Sequence, residues 1–192
     1  MTTPKELPLL TFETQQEWAH WLEKNHAQPD GVWLRMYKKH TNIVSINYAQ
    51  ALEEALCYGW IDGISKSIDD VSFMQKFTPR RAKSIWSERN TQHIARLTAE
   101  GKMKPAGMHE VEKAKADGRW EKAYATSKDA TIPEDFMAAL NKNKKAKAFF
   151  DTLNKQNLFA IYFRLQSAKK PETRANRIKT FIAMLEKQEK FH

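Results

Sequence analysis

Arginine, lysine and serine side chains are concentrated in residues 77–90, FTPRRAKSIWSERN. Ser84 or Ser87 can cap a following helix, and a helix start presents backbone N–H groups and the positive end of the helix dipole to an anion. Cationic side chains beside such a start are the groups that hold phosphate or carboxylate. The candidate ligand-binding residues of this stretch are Arg80, Arg81, Lys83, Ser84, Trp86 and Asn90.

In this interpretation Trp86 offers a flat surface for a ring, and Asn90 offers a neutral hydrogen-bonding group. An alternative gives the stretch a purely structural role. The two arginines would then pair with earlier carboxylates and lock the turn to the preceding helix, the available partners being Glu53, Glu54 and Asp62.

A second concentration of chemistry is CYGWIDG, residues 57–63. Two glycines bracket Trp60 and Asp62 where a helix gives way to a strand, so both side chains are candidates for a cleft. Asp62 would act as a general base or orient Arg80, and Trp60 would pack against the ligand. The alternative is that the glycines only allow a tight corner.

The stretch GVWLRMYKK, residues 31–39, alternates with period two and predicts a strand. Its core face would carry Val32, Leu34 and Met36. The other face would carry Trp33, Arg35, Tyr37 and Lys39. Interleaved aromatic and basic residues can stack bases and neutralise phosphates. Alternatively, helices cover this face and Trp33 belongs to the core, which leaves Tyr37 and Lys39 near a rim.

The positive charge lies at the C-terminal end of the chain. Residues 142–192 hold 13 Lys and Arg against 4 Asp and Glu, which accounts for the whole net charge of +9. Such asymmetry suggests a nucleic-acid surface, although lysines on helices also serve only solubility. The candidate phosphate-contacting residues are Lys142, Lys144, Lys145, Lys147, Lys169, Lys170, Arg174 and Arg177.

Catalytic and metal-binding motifs are not apparent in the sequence. The single cysteine, Cys57, lies on a helix predicted to be buried, so we expect it to be inert. The six histidines show no metal-ligand spacing. We therefore name no catalytic residue, no metal ligand and no cofactor.

The periodicity predicts an α+β protein. Strands at 31–39, 62–68 and 71–77 would form a three-stranded antiparallel sheet packed by helices that begin at Thr14 and Asn47. Everything from Ser84 onward is helical in pattern. We expect an α/β domain over 1–124, a linker over 125–131 and a basic helical domain over 132–192.

The length of 192 residues and an apolar content of 41% are typical of a soluble globular protein. No apolar run is long enough to span a membrane. The N-terminal stretch lacks the basic and apolar regions of a signal peptide, so we expect a cytoplasmic location.

Five stretches together resemble the YdeI/OmpD-associated, or bacteriocin-protection, family, and the resemblance runs from about residue 12 to 187. They are GVWLRMYKK, ALEEALCYGWIDG, FTPRRAKSIWSERN, EGKMKPAGMHEVEKAKADGRW and SAKKPETRANRI. The part from Ile132 onward resembles that family's helical domain. The N-terminal part is similar to a small α/β domain of bacterial proteins proposed as iron chaperones. The resemblance implies a fold and no defined reaction.

Three functions follow as expectations. The first is a non-enzymatic binding protein for a small phosphate- or carboxylate-bearing ligand, held between residues 57–63 and 77–90. The second is a nucleic-acid-associated protein that uses the basic C-terminal helices. The third is a hydrolase or transferase on a small anionic substrate, with Asp62 or Glu53 as the base.

Overall fold

A computed structural model describes residues 6–126 and 129–191 of the chain. The chain divides into two compact units, Met1–Ala123 and Tyr124–His192. Among the described residues, no helix has the length and apolar character needed to cross a membrane.

The first unit combines a four-stranded sheet with four α-helices. Its elements in chain order are β1 (Leu9–Thr11), α1 (Gln15–Asn25), β2 (Val32–Tyr37), a short 3-10 helix (Lys39–Thr41), α2 (Tyr48–Cys57), β3 (Trp60–Ser67), β4 (Ser72–Pro79), α3 (Glu88–Ala99) and α4 (Pro105–Ala116).

The sheet has the strand order β1-β2-β4-β3 and mixed orientation. β4 is antiparallel to both of its neighbours, whereas β1 runs parallel to β2. The prediction of a mixed helix and strand fold is confirmed, but the prediction of three antiparallel strands is wrong. The missed strand, β1, has only three residues, too few for an alternating pattern to be visible. It exists because the edge of β2 pairs with it, beginning where the Trp33 N–H donates to the Pro8 carbonyl at 2.9 Å.

Helices α1 and α2 supply the apolar side chains that cover one face of the sheet. On β2, Val32, Leu34 and Met36 are fully buried, which confirms their predicted core face. Two tryptophans lie at the centre of this core, and each satisfies its indole N–H inside the protein. Trp18 donates to the Ala51 carbonyl at 3.1 Å, and Trp60 donates to the His26 carbonyl at 2.9 Å.

Helix starts in this unit follow local sequence signals. Thr14 caps α1 by accepting from the Glu17 N–H at 3.2 Å. Asn47 and Gln50 form a complete capping box at the start of α2. Ser87 caps α3, accepting from the Asn90 N–H at 3.1 Å.

In the described residues of the second unit, four helices surround a separate apolar core. They are α5 (Glu134–Leu140), α6 (Lys144–Phe150), α7 (Lys155–Gln166) and α8 (Pro171–Glu186). The fully buried side chains of this core are Phe136, Leu140, Ala146, Ile161, Leu165 and Leu185. A buried asparagine on α7, Asn157, accepts from the Phe191 N–H at 2.8 Å and so fixes the chain after α8.

Helices α2 and α4 approach each other closely at Gly107. A Cβ atom added there would lie 2.2 Å from the Cys57 carbonyl oxygen, a backbone atom that cannot turn aside. We expect Gly107→Ala to lower the free energy of unfolding of the first unit by about 1–3 kcal/mol, because α4 must move away from α2. Urea denaturation followed by tryptophan fluorescence measures this unit alone, since all six tryptophans precede Tyr124.

Gly118→Ala provides a comparison without a close contact. Gly118 has a left-handed φ of 71° but open space around its Cα. This variant therefore carries a backbone cost of about 1–2 kcal/mol, which Gly107 does not carry because its φ is not positive. A Gly107→Ala variant as stable as wild type would contradict the expected clash of α4 with α2.

Candidate functional site

A groove of about 470 Å³ lies beside the outer part of β3 and β4 and the turn that follows β4. The lining residues come from three segments of the first unit. They are Ile61, Gly63, Ile64, Lys76, Thr78, Pro79, Arg81, Lys83 and Ser84.

The charge of the groove is entirely positive. Lys76, Arg81 and Lys83 line it, and no aspartate or glutamate is among the lining residues. Within residues 6–126 and 129–191, none of these three side chains forms an ion pair. Arg81 and Lys83 are exposed, whereas Lys76 is half-buried in the sheet. The groove therefore presents three uncompensated cations to whatever enters it.

One wall of the groove is apolar because β3 carries an irregularity. The register with β4 shifts between Asp62 and Ser65, so Gly63 and Ile64 leave the regular ladder. Buried Gln75 on β4 holds this bulge by donating from Nε2 to the Gly63 carbonyl at 2.9 Å. As a result Ile64 is 60% exposed and faces the groove with Ile61 and Pro79.

The buried residue Arg80 stabilises the turn that follows β4. Its backbone N–H donates to the Gly59 carbonyl at 3.0 Å, which ties the turn to the corner between α2 and β3. Its guanidinium lies 3.4 Å from the centroid of the Trp86 ring, and its Nη1 faces Ser84 Oγ and the Ile85 carbonyl at 3.5 and 3.4 Å. Arg80 is only 7% exposed. This residue therefore supports the turn, while Arg81 and Lys83 point into the groove.

The aromatic residues expected at the ligand are in the core instead. Trp60 is completely buried and donates to the His26 carbonyl. Trp86 is 1% exposed and packs between Arg80 and Trp120, whose ring centroid lies 4.9 Å away. Asn90, on α3, is also buried. The interpretation that Trp60 and Trp86 pack a ligand is corrected by their burial, because neither ring has a surface for one.

The carboxylates offered as partners for the arginines have other contacts. Asp62 Oδ2 accepts from the Tyr48 hydroxyl at 2.8 Å, at the start of α2. Glu53 pairs with Arg96 on α3, and Glu54 accepts from Gln15 Nε2 at 2.6 Å. In the sheet Asp62 is opposite Phe77, so it shares the core-facing side of β3 and not the groove side.

Tyr37 and Lys39 lie outside the groove. Tyr37 is half-buried at the end of β2, with the Arg35 guanidinium 5.1 Å from its ring centroid. Arg35 also pairs with Asp69 at 3.1 Å. Lys39 is past the strand, where the 3-10 helix begins.

Basic residues of the second unit divide into arginines bound within the unit and exposed lysines. Arg174 pairs with both carboxylate oxygens of Asp135 and donates to the Leu165 carbonyl, while Arg177 donates to Ser167 Oγ at 2.9 Å and to the Arg164 carbonyl. Lys147 pairs with Asp151 at 2.6 Å. Of the predicted phosphate-contacting lysines, five are exposed: Lys142, Lys144, Lys145, Lys169 and Lys170.

The described residues provide neither a reactive thiol nor a group of metal ligands. Burial raises the pKa of the Cys57 thiol to about 12, so it carries no thiolate near neutral pH. Over the parts of the chain that the structure describes, no three His, Cys, Asp or Glu side chains are grouped to hold a metal ion.

The bulge and the residue that holds it were missed from the sequence. Gln75 and Lys76 lie in the predicted strand 71–77 and Ile64 in the predicted strand 62–68, while Thr78 belongs to the stretch 77–90; none of the four is among the predicted site residues. A glycine inside a strand pattern is a known signal for a bulge, so Gly63 is the one hint that the sequence contains.

Arg80 is buried and Arg81 is exposed, so truncating the two side chains should change the stability of the first unit by different amounts. We expect Arg80→Ala to lower the free energy of unfolding of the first unit by about 2 kcal/mol, because a guanidinium stacked on a buried indole is lost. Arg81→Ala, at an exposed position, should stay within about 0.5 kcal/mol of wild type. Urea denaturation followed by tryptophan fluorescence compares them. A similar loss in both variants would contradict the assignment of Arg80 to the turn and Arg81 to the groove.

The Asp135–Arg174 pair predicts a pH dependence of the second unit. The hydrogen bonds from Arg174 hold the pKa of Asp135 below its ordinary value. The stabilisation is therefore complete above the ordinary carboxyl pKa, about 3.9, and is lost as the pH falls through the lowered one.

We expect Asp135→Asn to reduce the hydrogen-exchange protection of α8 amides at pH 7, and the difference from wild type to shrink as the carboxylate becomes protonated below pH ~3.9. Glu189→Gln, at an exposed position after α8, is the control. A difference that persists unchanged in acid would show that the charge of Asp135 is not what stabilises α8.

Comparison with known proteins divides the chain in the same two parts. Residues 129–188 match the family described as Bacteriocin-protection, YdeI or OmpD-Associated. Residues 10–110, more than half of the chain, match a different family, Domain of unknown function (DUF8412). The resemblance drawn from the sequence over residues 12 to 187 therefore applies to the C-terminal part alone, and the stretches before residue 110 lie in the second family.

No curated protein and no solved structure matches the chain. Its classification rests on the family matches. The chain belongs to the DUF8412 family through residues 10–110, and its C-terminal part matches the YdeI/OmpD-associated, bacteriocin-protection family.

Proposed function

We propose that this protein binds a small anionic ligand, with a phosphate or carboxylate attached to an apolar body, in the groove beside β3 and β4. The observation that carries the proposal is the convergence of Lys76, Arg81 and Lys83 on one groove whose lining contains no carboxylate. Clustered cations repel one another, and an anion that enters the groove relieves this repulsion.

The chemistry of the lining matches both parts of such a ligand. Arg81 provides a planar fork for two oxygens, and Lys83 provides a compact charge. The hydroxyl groups of Ser84 and Thr78 add neutral donors. The apolar wall of Ile61, Ile64 and Pro79 suits the body of the ligand, and a volume of about 470 Å³ is within the range of small-molecule sites.

The turn that carries the cations is held in place before any ligand arrives. Arg80 fixes it from inside, and Arg119 Nη1 donates to the Ser84 carbonyl at 2.8 Å from the far side. Side chains on a preorganised segment lose less freedom when they bind, which increases affinity.

A binding role is favoured over catalysis by the position of Asp62, a carboxylate that the sequence offers as a base. Asp62 lies on the other face of β3 and accepts from Tyr48, so it does not face a ligand in the groove. The bacteriocin-protection description of the C-terminal family gives a biological setting for a binding protein and specifies no ligand.

Titration with phenyl phosphate, followed by ¹H–¹⁵N NMR of the full chain, tests the proposal. We expect amide shifts at the groove and an affinity at least about tenfold lower in the double variant Arg81→Ala/Lys83→Ala, since a hydrogen bond to a charged group contributes roughly 1.5–3 kcal/mol. Phenol, which lacks the anion, should bind much more weakly.

The matched control is Lys142→Ala/Lys144→Ala, which removes the same two charges from the second unit. We expect this control to bind as wild type does. Loss of binding in the control, or unchanged binding in the groove variant, would refute the proposal. The first of these results would favour the basic C-terminal helices as the anion site.

A further inference from the structure

The sheet face opposite α1 and α2 carries alternating aromatic and basic side chains. The register places Trp33 on β2 opposite Lys76 on β4, and Arg35 opposite Met74. On the other side of β4, Lys66 of β3 is also opposite Met74. Residues paired across strands share a face, so these side chains form one surface, here called the outer face.

Two cations on the outer face already lie against aromatic rings. Lys66 Nζ is 5.2 Å from the centroid of Trp33, and Arg35 Cζ is 5.1 Å from that of Tyr37. Lys66 is exposed, while Trp33 and Tyr37 are half-buried. Neither Trp33 nor Tyr37 belongs to the hydrophobic core of the first unit. Each ring therefore has a cation over one face and is partly exposed outside the core.

The outer face is continuous with the groove. Lys76 belongs to both, since it is opposite Trp33 in the sheet and also lines the groove with Arg81 and Lys83. A row of cations thus runs from the turn after β4, through Lys76, to Lys66. At the far end of the face, Arg35 has its own carboxylate partner in Asp69.

We infer that the outer face binds a single-stranded nucleic acid, with bases stacked on Trp33 and Tyr37 and phosphates at Lys66, Lys76 and the groove. The inference rests on the proposed function, because the groove would hold one phosphate of the strand. Any base can stack on an aromatic ring, and flanking cations attract the phosphate backbone of the nucleic acid.

A single strand fits this surface better than a duplex does. Bases in a duplex are stacked on one another and are read by a helix or ribbon that enters a groove. The outer face instead offers rings set among strand residues, which only unstacked bases can reach. The two rings are four residues apart along β2, or roughly 13 Å at the usual rise per strand residue, which leaves room for separate bases.

Fluorescence anisotropy with labelled dT12 and with a 12-base-pair duplex tests the inference. The variants are Trp33→Leu, which removes the ring but keeps an apolar side chain, and Trp33→Phe, which keeps a ring. We expect dT12 to bind wild type more tightly than the duplex. Trp33→Leu should weaken dT12 binding about tenfold, whereas Trp33→Phe should stay within about threefold, because stacking depends on the ring.

Lys66→Ala should reduce the slope of log affinity against log salt by about 0.7, the value for one phosphate contact on a single strand. Far-ultraviolet circular dichroism of each variant checks that the sheet is intact. If Trp33→Leu is unfolded, the comparison of Lys66→Ala with the control Lys142→Ala/Lys144→Ala decides the question. Only Lys66→Ala should lose affinity for dT12.

The outcomes separate this inference from the proposed function. Phenyl phosphate binding in the groove together with no binding of dT12 would overturn the inference and leave the proposed function standing. The inference would also be overturned if Trp33→Leu and Lys66→Ala left dT12 binding unchanged. Equally tight binding of dT12 and the duplex would overturn it as well. Loss of phenyl phosphate binding in Arg81→Ala/Lys83→Ala with weaker dT12 binding in the same variant would support both.

Discussion

The stacking of the Arg80 guanidinium on the Trp86 ring determines the shape of the candidate site. This contact, with the backbone hydrogen bond from Arg80 to Gly59, joins the corner after α2 to the turn after β4. A guanidinium is weakly hydrated and stacks on aromatic faces, so it tolerates burial that a lysine ammonium does not. Because one cation of the run RRAK is fixed inside, the next two, Arg81 and Lys83, are directed outward into the groove.

Successive side chains of a strand point to opposite faces of the sheet, so the sheet places core aromatic residues on one face and cation-contacting aromatic residues on the other. On one side, Trp60 and Phe77 of the sheet pack with Trp18 of α1 and form part of the core. On the other, Trp33 and Tyr37 meet cations and remain partly accessible. A shift of one residue in the register of β2 would turn Trp33 and Tyr37 towards the core, so the burial of Val32, Leu34 and Met36 also keeps the outer face outward.

Net charge alone is a poor guide to the site in this protein. The excess of positive charge lies after residue 141, yet Arg174 and Arg177 hydrogen-bond to groups of their own helical unit. The exposed lysines of that unit lie both on its helices and between them. The first unit is nearly neutral overall, but its groove gathers three cations and excludes carboxylates. The proposed site therefore depends on the local arrangement of charges and not on their total.

The sequence by itself determined the elements whose signals are local. Thr14, Asn47 and Ser87 cap their helices through side chains a few residues from the groups they satisfy, and the alternation of β2 fixes which face is buried. The groove shares Arg81, Lys83 and Ser84 with the stretch singled out in the sequence, because these residues follow directly after the strand that lines it. These features depend on neighbours in the chain, which a sequence displays.

Tertiary structure decided what depends on distant partners. β1 forms only because β2 offers an edge, and the bulge at Gly63 is held by Gln75 on another strand. Adjacent Arg80 and Arg81 are equivalent in sequence, and only the position of Trp86 makes one internal and the other external. Burial likewise removed Trp60, Trp86 and Asn90 from the site. The direction of a side chain is set by the packing of elements that are remote in the chain, and local sequence contains no record of that packing.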